Sequence, residues 1–221
     1  MSCLSRRGLC RMAAALSLTT LLSRVAPLAA QAAIPTVRIG AQEWMRDNLA
    51  VTHFRNGDGI PTFPDSAAWA KAGMQRIPAW VSYANTVANQ VRYGLLYNHH
   101  AATDARGICP VGFRVPSTAD WQQLETTLTS ARASARLKSA TGWSNDGNGT
   151  DDAGFGALPG GFRTQNGVFF LESRVGYWWT DDDRAFTAPT ALAILLFDYA
   201  DTIFRIEYPP AIGQSVRCLR G

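Results

Sequence analysis

A polar loop at residues 145–152 carries the residue types that bind a hard cation. It reads Asn145-Asp-Gly-Asn-Gly-Thr-Asp-Asp152 and concentrates carboxylate, amide and carbonyl oxygens on a flexible backbone. Ca²⁺ binds several such oxygens at about 2.3–2.6 Å, so calcium is the cofactor this loop predicts, with Asp146, Asn148, Asp151 and Asp152 as candidate ligands. No glutamate closes the loop as in an EF-hand. The alternative is a hydrogen-bonded turn in which the Asp and Asn side chains accept from backbone amides.

A second acidic cluster, Asp181-Asp-Asp183, follows the adjacent tryptophans 178 and 179. Asp181 and Asp182 are candidate ligand-binding residues, and the two acidic loops would form one site if they met. The alternative is an exposed turn whose like charges keep it open.

The seven tryptophans offer platforms for a sugar ring, because an amphipathic aromatic ring suits a half-exposed site. Trp143 lies beside the polar loop and is the best candidate for such a platform. Trp178 and Trp179 are neighbours on a predicted strand and should point to opposite faces, so one is expected in the core. Trp179 is the second candidate. Three others lie in apolar patterns and are predicted to be core: Trp44, Trp69 and Trp121.

The sequence contains no pattern that locates a catalytic centre. His99 and His100 are adjacent, which is poor geometry for joint metal ligation, and a surface or capping role is favoured. The chain has neither a Gly-x-Ser-x-Gly elbow nor a P-loop. A nucleophilic triad or a pair of catalytic carboxylates depends on spacing in three dimensions, which the sequence does not give.

Residues 1–32 have the layout of a secretory signal peptide. Arg6, Arg7 and Arg11 precede an apolar stretch, and small residues end at Ala30-Gln-Ala32. An N-terminal membrane anchor is the alternative, but Arg24 interrupts the stretch well short of the roughly 20 residues that span a bilayer. Residues 33–221 are then expected to be one exported domain without a transmembrane segment, in the periplasm, at the cell surface or outside the cell.

The charge of the chain is largely an effect of this leader. The chain has 21 basic and 17 acidic residues, and four of the arginines lie in residues 1–32. The remaining residues are therefore formally neutral, and no basic run interleaved with aromatics follows. This balance argues against nucleic acid as a partner.

Two cysteines, Cys109 and Cys218, remain after Cys3 and Cys10 leave with the leader. An even number in a chain bound for an oxidising compartment predicts a disulfide between them. Two buried free thiols are the alternative.

The secondary structure predicted to position these residues changes along the chain, from mostly helices to mostly strands. Residues 36–49 alternate like a hairpin, 65–73 look like a short helix capped by Asp65, and Ser117 begins the clearest helix, which runs to about Thr129. A weaker helix is predicted at 131–140. Beyond residue 141 come the polar loop and then candidate strands at 154–158, 162–163, 168–172, 177–180, 191–199, 203–207 and 214–219. Helices early and strands late predict an α+β domain.

Several segments, in order, resemble a known family. These are 93–98, Cys-Pro-Val-Gly-Phe-Arg-Val-Pro-Ser-Thr-Ala-Asp-Trp at 109–121, 137–143, 149–152, 154–161, 176–179 and Ser-Val-Arg-Cys-Leu-Arg at 215–220. Together they resemble the Fibrobacter succinogenes major paralogous domain family over about residues 36–220. The resemblance implies an exported or surface protein of bacteria and supplies no established reaction.

A more distant resemblance rests on residues 113–121 and 216–220. These segments are similar to the formylglycine-generating, sulfatase-modifying family, whose domain is a variant of the C-type lectin fold. The similarity implies a twisted antiparallel sheet with flanking helices and long loops. Those enzymes work through a reactive cysteine pair, whereas Cys109 and Cys218 are assigned to a disulfide here. We therefore do not carry their activity over.

The sequence thus predicts an exported binding or adhesion module without assigned catalysis, with a glycan or another cell-envelope component as its partner. One alternative is a secreted enzyme, either acting on carbohydrate or a divergent sulfatase-modifying type. The other is a structural surface domain that binds no small ligand.

Overall fold

The computed structural model describes residues 33–129, 131–185 and 189–221 of the 221-residue chain. The predicted leader, with Cys3 and Cys10, lies outside the described residues. Residues Ile34–Gly221 form one compact unit. Across the part of the chain that is described, no helix combines the length and the apolar character needed to cross a bilayer.

Short helices occupy the first two thirds of the chain, and the longest strands occupy the last third. The α-helices in the described residues are α1 (Ser66–Met74), α2 (Val87–Tyr93), α3 (His99–Ala102), α4 (Thr118–Thr127) and α5 (Ala133–Leu137), and a short 3₁₀ helix spans Tyr83–Asn85. The strands there are β1 (Thr36–Ile39), β2 (Gln42–Met45), β3 (Trp80–Val81), β4 (Leu96–Tyr97), β5 (Phe113–Arg114), β6 (Gly160–Arg163), β7 (Phe169–Glu172), β8 (Val175–Ala185), β9 (Pro189–Phe197), β10 (Phe204–Tyr208) and β11 (Leu219–Arg220).

The N-terminal hairpin predicted for residues 36–49 is confirmed. β1 and β2 pair antiparallel, with Val37 opposite Trp44. Gly40 in the turn has a φ of +59°, and a Cβ atom there would lie 2.8 Å from Cγ2 of Thr127, so the turn requires glycine. The sheet continues in the order β1-β2-β11-β5, which places the last strand of the chain between its second and fifth.

A three-stranded antiparallel sheet of order β10-β9-β8 forms the centre of the fold. Trp178 pairs with Ile194 and Trp179 with Ala193, so these neighbouring tryptophans point to opposite faces as predicted. Each face is covered by a hydrophobic core, because Trp178 packs in one cluster of buried residues and Trp179 in the other. The sheet is therefore buried on both sides.

The helix predicted at Ser117 is confirmed with its cap. Ser117 and Asp120 form a capping box, in which each side chain accepts from the backbone N–H of the other residue. Trp121 and Leu124 lie on the buried face of α4. The Trp121 ring centroid is 4.9 Å from that of Trp44, so α4 joins the N-terminal sheet to the core around Trp178.

The predicted disulfide between Cys109 and Cys218 is confirmed. It joins the segment before β5 to the residue before β11 and closes a separation of 109 residues. Both cysteines are buried in the core around Trp179. A disulfide of this kind is consistent with export, because disulfides persist in oxidising compartments.

Some predicted elements differ from the structure. Residues 154–158 are not a strand, although Ala157 makes an isolated bridge to Lys138. Of the predicted strand 214–219, only Leu219 belongs to a strand, because Gln214 and Ser215 make isolated bridges to separate partners, Tyr97 and Trp178. α2 was not predicted, because its exposed side carries valines where a helical pattern would place polar residues.

The α+β prediction is confirmed, since helices and several antiparallel sheets are combined in one unit. The paired strands in these sheets are all antiparallel.

Candidate functional site

A cavity of about 330 Å³ lies between α2, the segment after β2 and the chain that follows the polar loop. Its walls are Asp47, Asn48 and Ala50, the segment 90–94, and Gly156 with Leu158, while Arg217 forms its floor. Concave sites of this kind, with a few convergent polar groups, are where small ligands bind.

Gly94 fixes the position of α2 at this cavity. The helix begins at Thr86, whose side chain accepts from the Asn89 N–H, and ends at Gly94, which has a φ of +76°. A Cβ atom at position 94 would lie 2.8 Å from the carbonyl oxygen of Leu49. Glycine therefore lets the end of α2 lie directly against the segment that forms the opposite wall.

Arg217 is buried, with 1% of its surface exposed. Its Nε and Nη2 donate to Oδ1 of Asn48 at 3.0 and 2.8 Å, and its Nη1 donates to the carbonyl oxygen of Phe155. The guanidinium carbon lies 4.3 Å from the Phe155 ring centroid. Burial lowers the pKa of Arg217 to about 9, with the charges of Asp47 and Asp151 opposing the shift, so the guanidinium stays protonated at neutral pH.

Asn48 connects this floor to the wall formed by α2. Its Oδ1 also accepts from Nε1 of Trp178 at 2.8 Å, and its Nδ2 donates to the carbonyl oxygen of Tyr93 at 2.9 Å. One buried amide therefore holds the end of α2, the central sheet and the arginine in a fixed arrangement.

The mouth of the cavity is formed by residues of α2. Val91 is 83% exposed at its rim. The Arg92 guanidinium carbon lies 4.8 Å from the centroid of the buried Tyr93 ring, where a cation–π contact orients it. The cavity thus combines an exposed arginine at its mouth with a buried one at its floor.

Trp143 does not form the half-exposed platform predicted for it. The ring is 5% exposed and packs in the core around Trp178. Its Nε1 donates to Oγ of Ser139 and to the carbonyl oxygen of Ala157, both at 3.1 Å. The expectation was wrong because the indole N–H finds its partners inside the fold, so the ring can be fully covered.

Trp179 is not available at the surface either. It is 0% exposed, and its Nε1 donates to the carbonyl oxygen of Tyr97 at 2.8 Å. The expectation that one of the two neighbouring tryptophans would be accessible was wrong, because both faces of the central sheet are covered. His99 packs edge-on against Trp179 and is buried, so it does not take the predicted surface role.

The candidate calcium ligands are directed to separate partners. Asn148 accepts from the Trp143 N–H at 3.0 Å, Asp151 accepts from the Gly156 N–H at 2.6 Å, and Asp152 pairs with Nε of Arg136 at 2.9 Å. Asp146 is exposed. Among the described residues no group of three or more His, Cys, Asp or Glu side chains is arranged to hold a metal ion. The loop has the arrangement of the hydrogen-bonded turn.

The two acidic segments lie apart, and the second is not a turn, because residues 181–183 continue strand β8. The polar loop contacts the end of β9, since Nδ2 of Asn145 donates to Asp198, and the Asp198 N–H donates to the Arg174 carbonyl at the start of β8. Asp181 lies further along β8, by about 20 Å at 3.3 Å per residue. Asp182 accepts from the Thr118 N–H at 2.5 Å and so contributes to the cap of α4.

A surface of partly exposed aromatic rings, in two groups of contacting rings, lies on the Trp179 side of the central sheet. We call it the aromatic strip, and it consists of Phe162, Phe170, Phe197, Tyr199, Phe204 and Tyr208. Phe170 is 48% and Tyr199 70% exposed. Phe162 lies 4.9 Å from the buried Tyr177 ring, which forms the base of the strip. The sequence did not indicate this surface, because its members come from four strands and the turn after β9.

Residues 37–220 match the family model described as the Fibrobacter succinogenes major domain. The chain belongs to the Fibrobacter succinogenes major domain family. No curated protein and no solved structure matches the chain.

In this Fibrobacter succinogenes major domain, Asp181 lines a second, smaller cavity of about 180 Å³ beside the disulfide. Arg55, Arg114 and Cys109 are among its other walls. Desolvation raises the pKa of Asp181, and the neighbouring charge of Asp182 raises it further, while Arg114 opposes the shift. Of the four predicted ligand-binding residues, Asp181 is therefore the one that the domain presents at a concave surface.

Proposed function

We propose that this protein is an exported binding module without catalytic activity and that its ligand is a glycan of the cell envelope. The observation that carries the proposal is the aromatic strip. Soluble proteins rarely expose contiguous apolar surface unless it binds something. Aromatic rings suit the apolar faces of sugar rings, and the two most exposed rings, Phe170 and Tyr199, lie in different parts of the strip.

The strip is suited to an extended ligand. Phe162 stacks near Phe170 with centroids 6.1 Å apart, and Phe197 lies 5.1 Å from Tyr199 and 5.0 Å from Phe204. Phe197, Phe204 and Tyr208 lie on the central sheet, whose far side is buried, and Phe162 pairs with Phe170 in the sheet of β6 and β7. Paired strands therefore hold these five rings before a ligand arrives. Such preorganisation favours binding because little conformational entropy is lost.

The proposal also includes a C-type-lectin-like arrangement of the fold. The support for it is the α+β architecture with short antiparallel sheets, the long loops and the disulfide that brings the last strand back to the middle of the chain. Export is proposed on the residues of the leader and on the disulfide.

Binding to a panel of immobilised glycans, with and without calcium, tests the proposal. We expect saturable binding by the purified protein, weakened roughly 3- to 10-fold by Phe170→Ala or Tyr199→Ala, which corresponds to about 0.5–1.5 kcal/mol for one aromatic contact. Met74→Ala is the matched control, because Met74 is 79% exposed on α1 and lies outside the strip. The glycan proposal fails if no glycan binds in either condition, and that result would favour a structural surface domain.

The absence of catalysis needs its own measurement. Asp181 has a raised pKa in a cavity, which is a feature of general acids. We expect no turnover of chromogenic glycosides. Turnover that is abolished by Asp181→Asn would replace the binding module with an enzyme that acts on carbohydrate.

A further inference from the structure

We propose that the cavity beside α2 is a second binding site, which takes a small carboxylate ligand that also carries hydroxyl groups, as a sugar acid does. Arg217 at the floor would bind the carboxylate. This site shares no residue with the aromatic strip, and the inference does not depend on the function proposed for the strip.

The buried charge of Arg217 lacks a carboxylate partner in the described part of the chain. Its three hydrogen bonds go to the neutral oxygens of Asn48 and Phe155 and use three of its five N–H groups. A buried charge is unfavourable unless it is paired. Asp47 and Asp151 act on Arg217 through space without an ion pair to it, and a ligand carboxylate in the cavity would supply that direct contact and match the planar guanidinium.

The charges around the cavity favour a single negative charge on the ligand. Arg92 and Arg217 provide two positive charges among the lining residues, and Asp47 provides one negative charge. Asp151 lies close to the opposite wall, because its Oδ2 is 3.9 Å from where a Cβ atom of Gly156 would be. Arg46 acts electrostatically on Arg217 as a third positive charge, so three positive and two negative charges surround the cavity. The excess of one positive charge is balanced better by a singly charged carboxylate than by a doubly charged phosphate.

The other walls suit a polyhydroxylated ring. Asp47 and Gln90 carry oxygen atoms that can accept hydrogen bonds from hydroxyl groups, while Val91 and Leu158 offer apolar contact. The volume of about 330 Å³ is at the small end of the range for ligand sites, so one sugar-sized ligand fits better than a chain.

Calorimetric titration of the purified protein with glucuronate, glucose and inorganic phosphate at pH 7 tests the proposal. We expect saturable binding of glucuronate at one site, with glucose and phosphate each at least tenfold weaker. Absence of glucuronate binding would overturn the proposal. Equal binding of glucose would show that the carboxylate is not recognised, and tighter binding of phosphate would replace the carboxylate site with a phosphate site.

Two matched variants on α2 test whether glucuronate binds in this cavity. Val91→Trp should narrow the mouth and weaken glucuronate at least tenfold, and because Val91 is 83% exposed the fold should tolerate the change. Val87→Trp is the control, since Val87 is 75% exposed one turn earlier and does not line the cavity. Unchanged affinity in Val91→Trp, or equal losses in both variants, would overturn the assignment to this cavity.

Arg92→Gln distinguishes this site from the aromatic strip. It should weaken glucuronate and leave any binding of neutral glycans unchanged, whereas Phe170→Ala should do the reverse. If Phe170→Ala weakens glucuronate and Arg92→Gln does not, the carboxylate binds at the strip and the cavity proposal is wrong.

Discussion

Arg217 and Asn48 are 169 residues apart in the chain, yet two N–H groups of the guanidinium donate to the same amide oxygen. The Trp178 indole donates to that oxygen as well. The amide thus replaces a carboxylate as the partner of a buried cation. This keeps the positive charge of Arg217 available to the cavity that it lines.

Asn48→Leu should therefore destabilise the fold strongly. The substitution removes the oxygen that accepts hydrogen bonds from both Arg217 and Trp178. Removing the partner of one buried charge costs about 3–5 kcal/mol. Urea unfolding followed by tryptophan fluorescence measures the loss. Asn56→Ala, in an exposed loop, is the control and should change the free energy of unfolding by about 0.5 kcal/mol or less. A loss below about 1 kcal/mol in Asn48→Leu would show that Arg217 finds other partners.

Asp120→Asn should change how stability depends on pH. Burial raises the pKa of Asp120, but hydrogen bonds from Arg114 and Ser117 outweigh it, and the pKa is lowered below its usual value of 3.8. The ionised carboxylate therefore stabilises the fold above about pH 4, and this contribution is lost as the pH falls through the lowered pKa. We expect Asp120→Asn to cost about 1–2 kcal/mol at pH 7 and less at pH 3.

Urea unfolding at both pH values measures this difference. Asp201→Asn is the control, because Asp201 is 52% exposed in a surface ion pair with Arg132 and should cost below about 0.5 kcal/mol. An equal loss at pH 7 and pH 3 would mean that ionisation of Asp120 does not stabilise the cap.

Replacing both disulfide cysteines, as Cys109→Ala with Cys218→Ala, should lower the free energy of unfolding by about 4–5 kcal/mol, because the bond closes a loop of about 110 residues in the unfolded chain. Adding a reductant to the unsubstituted protein should lower its free energy of unfolding by the same amount as the double substitution. Mass spectrometry of the native protein provides the check on pairing, and two free thiols there would contradict the bond.

Gly94→Ala should destabilise the protein more than Gly57→Ala. Both glycines have a positive φ, +76° and +92°, so both variants carry backbone strain of about 1 kcal/mol or more. Gly94 also has a ψ of −153°, in a region almost confined to glycine. Only the Cβ atom at position 94 would meet backbone, at 2.8 Å from the Leu49 carbonyl oxygen, whereas nothing lies within 4 Å at position 57. Thermal unfolding of the two variants measures the combined effect of strain and clash at position 94, and equal midpoints would show that the end of α2 moves freely.

The sequence predicted the elements whose signals are local. The cap of α4, the cap of α1 at Asp65 and the hairpin of β1 and β2 depend on side chains within a few residues, and all three are present. The disulfide was predicted from the number of cysteines that remain beyond the predicted leader.

The candidate site could not be predicted in the same way. Trp143 and Trp179 look accessible beside polar or acidic segments, and only the packing of both sheet faces shows that they are buried. The cavity joins α2, the segment after β2 and Arg217, which are far apart in the sequence. The residue types of the polar loop showed that it carries many side-chain oxygens. The orientation of those side chains depends on the hydrogen-bond partners that the fold places nearby.

The neighbouring Trp178 and Trp179 make β8 a wall common to two hydrophobic cores. If either core opened alone, water would reach one side of this strand and the packing of the other core would lose its support. The two cores should therefore unfold in one cooperative transition. Backbone amides of β8 and β9 should then exchange hydrogen with solvent only as often as the whole domain unfolds, which makes this pair of strands the slowest-exchanging part of the molecule.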